Sequence, residues 1–280
     1  MGPVATLLRR RSFPYVAPAV PRGVAPPAEK GKAGLDYETA WARKALARMA
    51  RGVLLEAVMR PSVAALADPE RRGVDRLADL TDADPVRPVI FAANHHSHLD
   101  TPLVLTSLPD VWRHKMFVAA AADYFFRNRL TGSVSALVLN AIPIERTKVN
   151  RRSADDAAAL IEDGWSMLIF PEGGRSPDGW GQPFRGGAAY LSLRCGVPVV
   201  PIYLDGTGRI LGKGMRLPKA SRTVITFGSP LWPEPDEDSR KFAVRIEAAV
   251  AALADETITD WYSARRRAAR GQTPPLTGPS

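Results

Sequence analysis

Five short apolar runs, each ending in a polar or glycine-rich turn, set the frame of this chain: residues 89–93, 115–119, 165–170, 197–203 and 224–228. Runs of this length, rich in β-branched or aromatic residues and bounded by turn formers, predict buried strands. Helical stretches separate them. Thr101 followed by Pro102 reads as an N-cap and first helical turn, and a further helical stretch leads to Leu139 after the aromatics Tyr124, Phe125 and Phe126, which read as core. Ser153-Ala154-Asp155-Asp156 is a capping signature for a helix stopped by Gly164, and Phe184-Arg185-Gly186-Gly187 opens another that ends at Gly196. An amphipathic helix over residues 236–253 closes the series. The alternation predicts an α/β fold with a mixed, largely parallel sheet flanked by helices.

Upstream the pattern changes. From Asp36, residues Trp41, Ala42, Ala45, Leu46, Met49, Ala50, Val53 and Ala57 fall on one half of a helical wheel, and Arg43, Lys44, Arg48 and Arg51 on the other. Such an N-terminal amphipathic helical segment, running to Ala65, either packs its apolar half on the next domain or lies on anionic lipid. Residues 67–87, with Pro69, Arg71, Arg72, Asp82, Asp84 and Pro85, read as a connecting loop. The Pro- and Gly-rich residues 1–34 cannot build a packed element and read as a disordered arm. Arg265 to Arg267 and the proline-rich stretch from Gln272 read as a basic, frayed end. The expected organisation is therefore an arm at 1–34, a helical segment at 35–87, an α/β domain at 88–255 and a basic C-terminal helix and tail at 256–280.

Composition narrows the partners. With 45% hydrophobic and 24% charged residues the chain is ordinary globular material, but a net charge of +9 calls for something acidic: nucleic acid, an anionic membrane surface or phosphorylated small molecules. Nucleic acid is disfavoured because the Lys/Arg clusters lack interleaved stacking aromatics. No apolar run approaches the ~20 residues that span a bilayer, and Arg9 to Arg11 are not followed by the apolar core of a secretory signal. A membrane, if met, is met from its surface. The single Cys195 reads as core and suits a reducing cytoplasm.

The chemistry concentrates in one place. Of four histidines, three lie within Asn94-His95-His96-Ser97-His98-Leu99-Asp100, between the first apolar run and the helix opened at Thr101. Strand-to-helix turns at the carboxyl ends of sheet strands are where α/β proteins usually hold ligands. In such a turn Asp100 can fold back onto one ring nitrogen of His95, fix its tautomer and leave the other nitrogen as a general base. Two other readings stand beside this one: histidines that only line a wet turn, and a metal site using His95, His96, His98 and Asp100. For the latter the chain supplies no second His or Cys cluster, and no metal is expected.

Asn94-His95-x-Ser97-x-x-Asp100 resembles the His-x4-Asp motif of the glycerolipid acyltransferase superfamily, the group that includes 1-acyl-glycerol-3-phosphate acyltransferases. Further blocks follow in the family's order. Ala141-Ile142-Pro143-Ile144-Glu145-Arg146 resembles the second, usually Gly-x-x-Phe-Ile-x-Arg, with Asn140 where glycine is usual and Pro143 in place of phenylalanine. Pro171-Glu172-Gly173-Gly174-Arg175-Ser176 resembles the third, with Gly174 replacing threonine, and Pro201 sits as the proline of the fourth. The likeness covers roughly residues 88 to 230. It implies direct acyl transfer from acyl-CoA or acyl carrier protein to the hydroxyl of a lysophosphatidic acid-like acceptor, with His95 as base and Asp100 as its orienting group. Arg146 and Arg175 would hold the acceptor phosphate, since a guanidinium matches phosphate oxygens bidentately. Gly173 would let backbone amides approach the anion, and Glu172 would bind the acceptor hydroxyl or orient an arginine. No cofactor is implied beyond the acyl donor. The expected location is cytoplasmic, peripheral to the inner face of the cell membrane. The substitutions at 140, 143 and 174 leave glycerol-3-phosphate, a lysophospholipid or a non-glycerol alcohol as alternative acceptors. A non-catalytic anionic lipid-binding protein is the remaining class.

Overall fold

Five of the seven strands of the sheet run parallel to one another and deliver their carboxyl ends to the same side, and that side carries the histidine turn. The computed structural model describes residues 34–145, 151–176, 180–212, 214–215 and 217–277. Its strands are β1 (Pro69–Arg72), β2 (Ile90–Ala93), β3 (Met116–Ala121), β4 (Ala141–Ile144), β5 (Ser166–Ile169), β6 (Val199–Asp205) and β7 (Thr223–Phe227), in the order β1-β7-β6-β2-β5-β3-β4. From β6 through β4 all pairings are parallel; β7 runs antiparallel to β6, and β1 parallel to β7. The sheet is mixed and largely parallel, as expected.

The strand β2 lies at its centre with all four residues buried. Phe91 and Ala93 join the core on one face, with Val118, Leu168 and Val200; Ile90 and Ala92 join the other, with Phe117, Met167 and Val199. Burial on both faces is why residues 89–93 are apolar without alternation. The first face is covered by α2 (Arg60–Ala67) and α3 (Asp100–Ser107), with α1 (Ala45–Val53) lying on α4 (Arg129–Leu139). The second is covered by α5 (Arg151–Glu162), α6 (Gly187–Cys195) and α7 (Ser239–Ile258), and α8 (Trp261–Ala269) packs on α7.

Several expectations need correcting. The loop expected over residues 67–87 supplies β1, paired with β7 from Pro69↔Thr223 to Arg72↔Thr226, so position 88 is no domain boundary. Residues 33–280 form one compact unit, whereas the arm expected at 1–34 lies, apart from Gly34, outside the described residues. A strand of sequence Pro-Glu-Arg-Arg escapes an apolar pattern because it is a solvated edge, where proline and charge are tolerated. The helix α5 begins at Arg151, so Ser153 is not its cap; its hydroxyl donates to the Pro143 carbonyl at 3.4 Å. The helix α3 begins at Asp100 rather than after Thr101. The tail expected to fray is held where the Leu276 carbonyl accepts from Gly181 N at 2.9 Å.

The amphipathic segment divides between its two readings. Between α1 and α2 the chain passes through a π-helical stretch, Leu54–Met59, whose wider turns rotate the downstream face against the upstream one. Downstream, Leu55, Val63 and Ala67 enter the core as an apolar face should. Upstream the packing is reversed: Leu46, Met49 and Val53 are 81%, 68% and 66% exposed, and Arg51, 9% exposed, faces inward. Its Nη1 donates to the carbonyls of Ala42 at 2.9 Å and Leu137 at 3.4 Å, pinning α1 to α4. Burial, with Arg43 and Arg48 nearby, pushes the Arg51 pKa down to about 10, which leaves it charged near neutrality.

Candidate active site

Asn94 extends the β2 ladder with its side chain. Its Nδ2 donates to the Leu204 carbonyl at 2.9 Å and its Oδ1 accepts from Leu204 N at 2.7 Å, so the turn leaves the sheet from a fixed point on β6. Six residues on, at the first position of α3, Asp100 is fully buried and folds back over the turn. One oxygen, Oδ2, accepts from His96 N at 2.7 Å and Ser97 N at 2.8 Å and meets His95 Nδ1 at 2.8 Å. Three donors on one oxygen hold the carboxyl group in place at the start of α3. His95 Nδ1 is thereby engaged, and Nε2 is the ring nitrogen left for other chemistry. The ring also stacks on Phe170 at the end of β5, centroids 4.2 Å apart and 21° between planes.

The segment after β5 grips the backbone of the same histidine. Ser176 N donates to the His95 carbonyl at 2.8 Å, and His95 N donates to Glu172 Oε1 at 2.9 Å. Glu172 Oε2 accepts from Gln182 N at 3.1 Å. Burial is the main reason the Glu172 pKa is pushed up to about 7; the two backbone bonds oppose it, and Asp100 and Glu247 add to it. This corrects the role expected for Glu172: it is buried, braced between two peptides and outside the cavity lining. Gly173 needs correcting too. It takes a left-handed φ of 75°, which only glycine adopts freely, but its amide donates to the Phe170 carbonyl at 3.1 Å and so closes the turn instead of facing an anion.

Arg175 does face the site. It lines, with His95 and Phe170, a cavity of about 240 Å³ that continues along the apolar residues Val118, Ala119 and Ala120 of β3 to Phe125 and Leu139. Among the described residues its guanidinium has no ion-pair or hydrogen-bond partner. Beside it, His98 Nε2 meets Tyr124 Oη at 3.1 Å. Burial, then the charge of Arg175, holds His98 below the usual imidazole range, and burial does the same to His96. Of the three aromatics expected in the core, only Phe126 is there; Tyr124 and Phe125 line the cavity. Arg146 lies outside the described residues.

Asn140, the departure from the second block, ends α4 in the left-handed region at φ 49°, which asparagine tolerates better than most residues. It is fully buried, with Nδ2 donating to the Met116 carbonyl at 2.9 Å. The residue thus replaces the conformational freedom of glycine and adds an anchor to β3. Among the described residues no group of three or more His, Cys, Asp or Glu is gathered to hold a metal ion. The importance of Phe170, Ser176 and Tyr124 escapes sequence reading, because it depends on which strand ends become neighbours.

Residues 76–205, which span His95, Asp100, Glu172 and Arg175, match the family model described as Acyltransferase. A chloroplastic 1-acyl-sn-glycerol-3-phosphate acyltransferase of Brassica napus is 31% identical over 148 residues, covering 50% of this chain and 39% of that protein. One from Chlamydomonas reinhardtii is 31% identical over 185 residues, covering 62% and 51%. The chain thus spans about half or less of the length of these two relatives. The crystal structure of the 1-acyl-sn-glycerophosphate (LPA) acyltransferase PlsC from Thermotoga maritima shares the fold, with a TM-score of 0.57 at 22% identity over 74% of this chain and 81% of that one. The matched stretch, these relatives and the shared fold all make the chain similar to acyltransferases over the part that carries the His95 turn and residues 171–176.

Proposed function

We propose that the chain is an O-acyltransferase that moves a fatty acyl group from acyl-CoA or acyl carrier protein to the free hydroxyl of lysophosphatidic acid. The observation that supports this most is one cavity holding three things: the His95 imidazole backed by Asp100, an apolar channel, and the Arg175 guanidinium, which has no partner among the described residues. In the reaction His95 Nε2 takes the hydroxyl proton as the alcohol oxygen bonds to the thioester carbonyl carbon. The carbon–sulfur bond then breaks, and the thiolate leaves with the proton returned by the imidazolium. Asp100 keeps the productive tautomer and steadies the cation. Arg175, with Arg146, holds the acceptor phosphate and contributes by positioning. The apolar channel suits an acyl chain.

Arginine removal tests the acceptor assignment. Arg175→Ala is expected to raise the KM for lysophosphatidic acid by about tenfold or more, as loss of a charge-assisted phosphate contact worth ~1.5–3 kcal/mol requires, with kcat changed far less. Steady-state kinetics on an acceptor panel with one long-chain acyl-CoA reads this, and an unchanged acceptor KM excludes the phosphate role. The names of the relatives favour lysophosphatidic acid over the other alcohols in that panel.

A peripheral membrane site completes the reading. No helix among the described residues is long and apolar enough to cross a membrane. Leu46, Met49 and Val53 of α1 are exposed, as are Leu130 and Val134 of α4, the helix on which α1 lies, and Lys44 and Arg48 are exposed on the same segment. An apolar patch with neighbouring cations suits the surface of an anionic bilayer. Changing Leu46, Met49 and Val53 together to glutamate is expected to lower co-sedimentation with phosphatidylglycerol vesicles at least fivefold; undiminished sedimentation argues against this face.

A further inference from the structure

We propose that Glu172 is a positioning residue for the transfer: its carboxylate holds the peptide of His95, and through it the aim of the imidazole, without touching the acceptor. The inference rests on the reading of His95 as the base. It deepens that reading by giving the third block a second task.

The geometry around His95 leaves its ring little freedom. Its N–H is taken by Glu172 Oε1, its carbonyl by Ser176 N, its Nδ1 by Asp100 Oδ2 and one ring face by Phe170. Three of these four restraints come from residues 170–176. Glu172, like Ser176, stays out of the cavity lining: it is 4% exposed, and the cavity is lined instead by Gly173, Gly174 and Arg175 just beyond it. Its second oxygen is spent on Gln182 N, in a loop further secured where Arg185 N donates to the Pro171 carbonyl and Phe184 N to Glu247 Oε2. A buried carboxylate with two backbone donors and no cation partner among the described residues is costly to keep. Bracing two peptides that flank the base gives it a reason to be there. Arg175, one turn away, holds the opposite arrangement: a guanidinium open to the cavity and bonded to no described group.

The test separates positioning from binding. Glutamine at 172 keeps the shape but offers one N–H only an NH2 group; aspartate keeps the charge but is one methylene too short to span both amides. With acyl-CoA and lysophosphatidic acid, Glu172→Gln and Glu172→Asp are each expected to lower kcat by about 10–100-fold, the scale on which sub-ångström to 1 Å misplacement acts. The acceptor KM should stay within about twofold of wild type in both, unlike Arg175→Ala. If one variant fails to melt cooperatively, the other carries the measurement. The proposal is overturned if either folded variant raises the acceptor KM with kcat intact, which would put Glu172 on the acceptor, or if kcat and KM are both unchanged. Failure of the base reading has a separate signature, full activity in His95→Ala.

Discussion

Alanine at position 95 is expected to lower the turnover of acyl-CoA with lysophosphatidic acid by about 10²–10⁴-fold, the contribution typical of a positioned general base. The loss belongs in kcat, because in the proposed arrangement the acceptor phosphate is held by Arg175 and the acyl chain by the apolar channel, neither of which the change touches. The fold should survive the change. Asp100 Oδ2 retains His96 N and Ser97 N as donors, and Glu172 and Ser176 hold the peptide of residue 95 whatever its side chain. Release of free thiol, followed beside a cooperative thermal melt, separates chemistry from folding. A folded alanine variant with near-wild-type turnover removes His95 from the mechanism.

Asp100→Asn is expected to cost about as much in kcat and considerably more in stability. The side chain gathers its three donors on one oxygen, and an amide offers one oxygen only. If that oxygen takes the Oδ2 place, the turn keeps its bonds but loses the charge that steadies an imidazolium. If the amide is reversed, an NH2 meets three N–H groups. Exchanging an orienting carboxylate for its amide lowers kcat by about 10⁴ where a histidine base depends on it, so about 10²–10⁴ is expected here. Hydrogen bonds to a charged acceptor are worth ~1.5–3 kcal/mol each, and the charge at the first position of α3 adds a favourable helix-end interaction. A loss of about 2–4 kcal/mol in unfolding free energy follows, read by denaturant titration. Activity within threefold of wild type would show that His95 works without its carboxylate.

What could be read in advance follows from distance along the chain. His95 and Asp100 share one turn, so their meeting was legible from spacing and residue type. The strands β2, β3, β5 and β6 were legible because burial on both faces forces a continuous apolar run. β1 was not, since its edge position permits Pro-Glu-Arg-Arg and its partner β7 lies some 150 residues downstream. The orientation of α1 was hidden for another reason. Arg51 lies four residues before the buried Leu55 and so on the same helix face, and its backbone acceptors on Ala42 and Leu137 let that charged face turn inward where an apolar one was expected. At the site, Gly173 looked like part of an anion cradle and Glu172 like a ligand for the acceptor hydroxyl or a brace for an arginine. Their hydrogen bonds go instead to Phe170, Gln182 and His95, partners fixed only when β5 settles beside β2.

One experiment reaches the centre of all this: the chain incubated with a long-chain acyl-CoA and lysophosphatidic acid, with products resolved by mass spectrometry in wild type and His95→Ala side by side. Phosphatidic acid and free CoA formed in equal amounts by the wild type, and neither by the folded variant, is the outcome expected of an imidazole that delivers a phosphate-tethered alcohol to a thioester. Free CoA without phosphatidic acid, or the same product yield from both proteins, contradicts it.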